Sequence, residues 1–239
     1  MQTHSALPMS RPRQGPVPTL PPHRSDDAPA SLASLGTVVS VQRGGAVYRE
    51  GDPALNWYRV VSGTGCTCKL LPDGRRQIGT FLHAGDFFGF EALGEHGFGA
   101  EALTDLVVIR YPRRHTEDLA QTDGAVGHRF REITCRSLTA AYERLLTLGR
   151  RTATERVVGF LLELARKAPD GKTISLPMSR GDIGDYLGLT LETVSRIFAT
   201  LKHDGLIEMT GAHRVSLLDR PALELMTEGD EPAVRLGTA

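Results

Sequence analysis

The segment from Thr190 to Leu201 constrains the fold of this chain more than any other part of it. At about 100° per residue, a helix here has two chemically different sides. One side carries apolar residues at i, i+3, i+4 and i+7: Val194, Ile197, Phe198 and Leu201. The opposite side carries Glu192, Ser195 and Arg196. The spacing predicts that one side packs and the other remains available to a ligand.

The polar side has the hydrogen-bonding groups that read DNA bases. An arginine donates two parallel bonds to guanine, a glutamate accepts from the cytosine amine, and a serine serves either a base or a phosphate. We therefore expect Glu192, Ser195 and Arg196 to be base-reading residues on a helix that lies in a major groove. A solvated surface helix with ordinary charges is the alternative, and the flanking segments bear on it.

The preceding segment predicts a first helix and a tight turn. Ser179 and Asp182 have capping-box spacing at the start of that helix. Gly188 is placed to end it in the left-handed conformation, and Thr190 is placed to cap the next helix. Helix, glycine turn and second helix form a helix-turn-helix pattern.

The following segment, 206–217, consists of two alternating runs around Gly211, which predicts a hairpin. A hairpin that follows the DNA-reading helix is called a wing. The segment from Ile174 to Leu176 is predicted to add an edge strand to this hairpin. We expect residues 151–226 to form a winged helix-turn-helix domain. Its helix ends and wing supply candidate phosphate contacts, each of which is alternatively a solvated side chain: Ser179, Arg180, Lys202 and Arg214.

The whole chain has 239 residues, no net charge and 40% hydrophobic residues, which suits two modest domains. No apolar run approaches the roughly 18 residues that cross a bilayer, so we expect a soluble protein with no membrane partner. Residues 1–33 are rich in proline and lack an apolar stretch, which predicts a disordered tail rather than a signal peptide. Residues 227–239 are predicted to be a flexible tail.

The three cysteines do not form a recognisable metal or disulfide pattern. Cys66 and Cys68 share one face of a predicted strand, and Cys135 lies in a helical stretch. Three cysteines are too few for a disulfide scaffold and odd in number, so we expect a protein of the reducing cytoplasm. A free cysteine is most often a small buried hydrophobe. The histidines show no metal-ligand spacing. The sequence therefore predicts no metal site.

Residues 34–125 contain short alternating or apolar runs separated by turns rich in glycine. One such turn, Asp73-Gly74, is a strong hairpin signal. Evenly spaced short strands of this kind predict an antiparallel β-roll.

Residues 126–150 predict a long amphipathic helix. Its narrow apolar stripe is typical of a helix that meets its own copy across a two-fold axis. The alternative is a helix that packs only on its own roll. We take the stripe as a dimerisation seam formed by Phe130, Ile133, Leu138, Ala141, Leu145 and Leu148.

The order of roll, long helix and winged helix resembles the CRP/FNR family, an α+β fold, over about residues 35–226. Matching motifs are Gly51-Asp-Pro-Ala54, Gly85-Asp-Phe-Phe-Gly89 and the segment from Ile183 to Arg196. The Glu-x-x-Ser-Arg pattern within that segment is similar to that of the FNR branch. The residues around it look most like the rhizobial FixK proteins.

Two departures from the family bear on cofactors. The iron–sulfur members carry clustered N-terminal cysteines, whereas no cysteine precedes Cys66 here. The cyclic-AMP binders carry an Arg-Ser pair after the Gly-Asp-Phe turn, and this chain has none after Gly89. The resemblance thus implies a homodimeric regulator without a cofactor. It would bind a palindrome of TTGAT half-sites in promoter DNA, contact RNA polymerase, and mainly activate genes for low-oxygen respiration or nitrogen fixation.

Two other functions are alternatives, and the sequence keeps only the first of them open. A roll that senses haem or another small ligand would keep the same DNA-binding mode, with His83, His96 or His115 as an axial ligand. A metal-dependent cupin enzyme needs an H-x-H pair, which the chain lacks. We therefore expect that the protein is not an enzyme.

Overall fold

The computed structural model describes residues 30–90, 94–211 and 213–227. Most of the two predicted tails, 1–29 and 228–239, lies outside the described residues. The predicted tail, residues 1–33, includes a segment that is ordered by packing. Helix α1 (Ala30–Ala33) places Leu32 in a hydrophobic cluster, where this side chain is 1% exposed. At the other end, Thr227 still donates a hydrogen bond to the carbonyl of Glu224.

The N-terminal part is the predicted antiparallel roll of two four-stranded sheets. One sheet has the order β1-β8-β3-β6 and the other β2-β7-β4-β5. The strands are β1 Thr37–Val41, β2 Ala46–Tyr48, β3 Asn56–Ser62, β4 Gly65–Leu70, β5 Arg76–Leu82, β6 Phe87–Phe88, β7 Gly99–Ala102 and β8 Leu106–Pro112.

Aromatic side chains fill the interior of the roll. The rings of Tyr48, Tyr58 and Phe88 pack with centroids 5.2 to 6.0 Å apart. His96 stacks on Tyr48 at 3.7 Å and is itself buried. Together with Val60 and other inward residues of both sheets, these rings form the hydrophobic core of the roll.

Two helices follow the roll, α2 (Arg113–Thr122) and the long α3 (Gly124–Arg150). The carboxylate of Asp123 caps α3 by accepting from the backbone N–H groups of Ala125 and Val126. Only the first turns of α3 are buried, and they pack beneath Trp57 and Tyr111 of the roll. Beyond these turns, the side chains of α3 are exposed or half-buried.

The C-terminal part is the predicted winged helix. Its first helix begins at a capping box in which Thr152 and Glu155 satisfy each other's backbone N–H groups. A small antiparallel sheet of order β10-β11-β9 contains the predicted hairpin and edge strand. The elements are α4 Ala153–Lys167, β9 Thr173–Ser175, α5 Arg180–Leu187, α6 Leu191–His203, β10 Ile207–Met209, β11 Arg214–Leu217 and α7 Arg220–Leu225.

Among the helices of the described ranges, none combines the length and the apolar character that a bilayer-spanning segment requires.

Candidate nucleic-acid interface

The predicted helix-turn-helix is confirmed down to its caps. The Ser179 hydroxyl accepts from the backbone of Asp182, whose carboxylate accepts in return from the Ser179 N–H. Gly188 ends α5 with φ +65°, a conformation that favours glycine. Thr190 then caps α6 by accepting from the Thr193 N–H. Gly184 makes the turn this tight, because a Cβ there would lie 2.6 Å from the Leu189 carbonyl oxygen.

Helix α6 separates into the two predicted faces. Val194, Phe198 and Leu201 are buried in one hydrophobic cluster with residues of α4. Glu192, Ser195 and Arg196 are all exposed on the other face. Their assignment to bases stays a prediction, but the structure leaves all three accessible along one helix surface.

Glu192 is held in its ionised form. Its pKa is lowered by its own backbone N–H first, then by the Thr190 hydroxyl, and further by the charge of Arg196. At neutral pH the side chain is therefore a hydrogen-bond acceptor only. The face presents this acceptor one turn before the fork of donors on Arg196, a pairing that suits the two sides of a base pair.

The four predicted phosphate contacts divide into two groups. Lys202 at the end of α6 and Arg214 on the wing are exposed, and neither forms an ion pair with a residue in the described ranges. The hydroxyl of Ser179 is instead engaged in the capping box, where it also donates to Asp182 at 2.7 Å. Lys202 and Arg214 are therefore the two candidates whose charged groups are available to a phosphate.

Arg180 differs from the prediction most clearly. Its guanidinium lies 3.4 Å above the ring centroid of Phe198 and points an N–H at the sulfur of Met209. Burial lowers its pKa. A cation stacked on an aromatic face packs α5 against α6, and a phosphate contact would require it to leave this position.

The six residues of the predicted dimerisation seam on α3 are not all on the surface. Phe130 and Ile133 are buried in the chain's own core, so they are not available to a second copy. The reason is their position along the helix, since they lie in the first turns of α3, which pack against the roll. Leu148 is half-buried beside Gly188.

An exposed apolar stripe remains on the outer half of α3. Leu138, Ala141 and Leu145 of the prediction belong to it. Tyr142 and Leu146, which were not among the predicted seam residues, extend it. Exposed fractions of its large side chains run from 53% at Leu138 to 66% at Leu145. A contiguous apolar strip of this kind on a helix is typical of an interface.

A polar link between the roll and α5, absent from the sequence predictions, positions the helix-turn-helix. Arg76 on β5 bonds to Asp182 at 2.7 Å, to Glu101 at 2.9 Å and to Asp185 at 3.5 Å. Its neighbour Gln77 donates to the Asp185 carbonyl at 2.6 Å. Desolvation raises the pKa of Asp182, but the bonds from Ser179 and Arg76 outweigh it and the net shift is downward.

The end of α3 completes this junction. Arg144 donates to the carbonyls of Ile78 and Tyr186 and stacks on the Tyr186 ring at 3.7 Å. Arg156 of α4 donates to the carbonyls of Leu148 and Leu187. The two arginines therefore tie the roll, the long helix and α5 together.

The three candidate haem ligands lie apart. His96 is stacked inside the roll, whereas His83 borders a cavity of only about 20 Å³. His115 lines an open cleft of about 530 Å³ between α1 and α2. His83 and His115 therefore line two different cavities.

Comparison with known proteins covers both halves of the chain. Residues 38–123 match the model of the cyclic nucleotide-binding domain, and residues 155–226 match that of the Crp-like helix-turn-helix domain. The first match spans the roll, and the second spans most of the winged helix described above.

Several relatives match most of this chain and most of their own length. The nitrogen fixation regulation protein FixK of Azorhizobium caulinodans is 41% identical over 80% of this chain and 79% of its own length. FixK of Rhizobium meliloti is 37% identical, over 82% of this chain and 89% of its own length. The structure of FixK2 from Bradyrhizobium japonicum superposes with a TM-score of 0.78 and 41% identity, covering 82% of this chain and 99% of that one. These relatives are regulators rather than enzymes, and the chain belongs to the CRP/FNR family of transcription regulators, as a FixK-like member.

Proposed function

We propose that this protein binds promoter DNA as a homodimer at a palindrome of TTGAT half-sites. It contacts RNA polymerase there and mainly activates genes for low-oxygen respiration or nitrogen fixation. The names of the FixK relatives support the biological role, because they are nitrogen fixation regulators at about 40% identity.

The exposed polar face of α6 is the observation that carries the proposal. Arg196 donates to the guanine of the half-site, and Glu192 accepts from the cytosine amine of that pair or from an adjacent base. Ser195 lies one residue from Arg196 on the same exposed surface. Lys202 and Arg214 hold the flanking phosphates, which set the register but carry no base preference.

The exposed stripe of α3 supplies the dimer. Two copies that pair through Leu138, Tyr142 and Leu145 bury apolar surface that the single chain leaves in water. A two-fold axis along α3 would relate two reading helices, as a palindrome requires, with half-sites about 34 Å apart.

DNA binding on this proposal needs neither an iron–sulfur cluster nor a cyclic nucleotide. A [4Fe–4S] cluster of the family type takes four thiolates, whereas this chain has three cysteines. Of these, Cys135 is exposed on α3 and the other two are buried in the roll.

The test is DNA binding by protein purified in air, without added ligand. Footprinting should show two protected half-sites, and sedimentation of the complex should give two chains per palindrome. Binding that appears only with a cyclic nucleotide, stoichiometric iron and sulfide in anaerobic protein, or a haem absorption band would contradict the proposal.

A further inference from the structure

The two buried cysteines of β4 converge with a carboxylate on the neighbouring strand. The sulfurs of Cys66 and Cys68 and a carboxylate oxygen of Glu101 all lie within 4.8 Å of one another. Cys66 is fully buried and Cys68 is 8% exposed, whereas the Glu101 side chain is 43% exposed. The cluster thus has a dry inner side and one opening to solvent.

The backbone itself brings these side chains together. Cys66 and Cys68 are two residues apart on one strand, so their side chains share a face. In the ladder between β4 and β7, Cys66 pairs directly with Glu101. Because the sheet sets this register, the three groups are held near one another without a ligand.

We propose that these residues form a binding site for a thiophilic metal ion of the Zn²⁺ type. Two thiolates and one carboxylate are ligands that zinc accepts, with a fourth position left to water at the open side. Zinc–ligand bonds of about 2.0–2.3 Å require ligand atoms roughly 3.3–3.8 Å apart, so distances of up to 4.8 Å have to shorten by at most about 1.5 Å. Rotation of the side chains supplies a movement of this size.

Arg76 provides the compensating charge. A divalent ion held by two thiolates and a carboxylate leaves one net negative charge. The guanidinium of Arg76 already donates to Glu101 at 2.9 Å and to the Cys66 sulfur at 3.5 Å. Hydrogen bonds to ligating groups are the usual outer support of a metal site.

The same guanidinium connects the site to α5. Its other nitrogen bonds to Asp182 at 2.7 Å, in the capping box that begins the helix-turn-helix. When Glu101 turns to the metal, Arg76 loses one of its partners on the roll and depends more on Asp182. Metal occupancy therefore changes the contact between the roll and α5.

Cobalt and zinc binding to the reduced full-length protein tests the site without any DNA. We expect one equivalent of Co²⁺ per chain, with a thiolate-to-cobalt charge-transfer band that Zn²⁺ removes. Cys135→Ser, which changes the third cysteine, should keep the band, and Cys68→Ser should lose it. A band absent from wild type, or retained in Cys68→Ser, overturns the proposal.

Misfolding of Cys68→Ser would also remove the cobalt band, so a second variant is needed. Glu101→Gln changes a partly exposed side chain and keeps both thiols. It should lower zinc affinity, measured against a competing chelator, by about tenfold or more. Unchanged affinity would remove Glu101 from the ligand set and overturn the site as drawn.

Hydrogen exchange tests the connection to α5. Zinc should alter the protection of amides in Arg180–Leu187 of wild type and leave them unaltered in Arg76→Gln. Equal responses in the two proteins would contradict the role of Arg76.

Discussion

At the scale of single residues, what a side chain does depends on which neighbours its charge meets. Arg180 and Lys202 both lie in the helix-turn-helix, yet one is stacked on Phe198 and the other is exposed. Sequence alone assigns both to phosphates, because it shows their charge and approximate position but not the aromatic ring that covers Arg180. The exposed Glu192 and Arg196 are predictable, since helix periodicity determines which side of α6 is polar.

Lys202→Ala should weaken binding to every DNA sequence by the same factor. A phosphate contact carries no base information, and its loss should lower the salt dependence of the binding constant by about one unit per contact. Lys167→Ala serves as a control, because this lysine lies on α4 in an ion pair with Glu163. Fluorescence anisotropy at several salt concentrations measures both variants. An effect that differs between consensus and altered sites would mean that Lys202 reads a base.

At the scale of elements, α3 combines two functions along its length. Its first turns complete the core of the roll, and its outer half carries the exposed stripe. The sequence indicates an amphipathic helix, but its three-four spacing joins the two faces into one seam. Their separation follows from where the roll ends, which periodicity cannot show.

Leu145→Glu should produce monomers. In the single chain Leu145 is 66% exposed, so the charge costs little there, whereas in a seam it would be buried without a partner. Ala140→Glu, an exposed position about 140° around the helix from Leu145, is the matched control and should remain dimeric. Analytical ultracentrifugation distinguishes the two. If Leu145→Glu sediments as a dimer of unchanged affinity, the stripe is not the interface.

Asp182→Asn should destabilise the protein in a pH-dependent way. The folded-state pKa of Asp182 is lowered, so its contribution is present above the unfolded value of about 3.9 and is lost as pH falls through the folded value. We expect a loss of about 1–3 kcal/mol near neutral pH. The difference from wild type should shrink on acidification below about pH 4.

Denaturant unfolding from pH 7 downward measures this difference. Asp118→Asn, which changes an exposed carboxylate on α2, controls for the general effect of removing one negative charge. A stability difference that stays constant across this range would show that the capping box and Arg76 do not act through the ionised carboxylate.

At the scale of the whole molecule, local patterns predict the elements and their order, but not the junction between the domains. The turn chemistry of Gly188 and the caps at Ser179 and Thr190 are short-range signals, and the structure confirms them. Arg76 and Asp182 are 106 residues apart, and no periodicity relates them. Likewise, Cys66 meets Glu101 only through the pairing of β4 with β7.

The junction determines how the reading helix is presented. Arg76 and Arg144 both reach α5 from outside the winged helix, so the orientation of α6 relative to the α3 stripe depends on long-range contacts. On the proposed function, the exposed face of α6 nevertheless selects the DNA sequence, chiefly through the Arg196 side chain and the guanine pair of each half-site.

The most direct test measures wild type and Arg196→Ala on two DNA duplexes. One carries the TTGAT palindrome, and the other differs only at the guanine pair of each half-site. Wild type should discriminate between them, and the variant should lose ~1–3 kcal/mol per half-site on the palindrome and much of its preference for guanine. If Arg196→Ala discriminates between the two duplexes as well as wild type does, then Arg196 does not read that base, and the account of the interface is wrong.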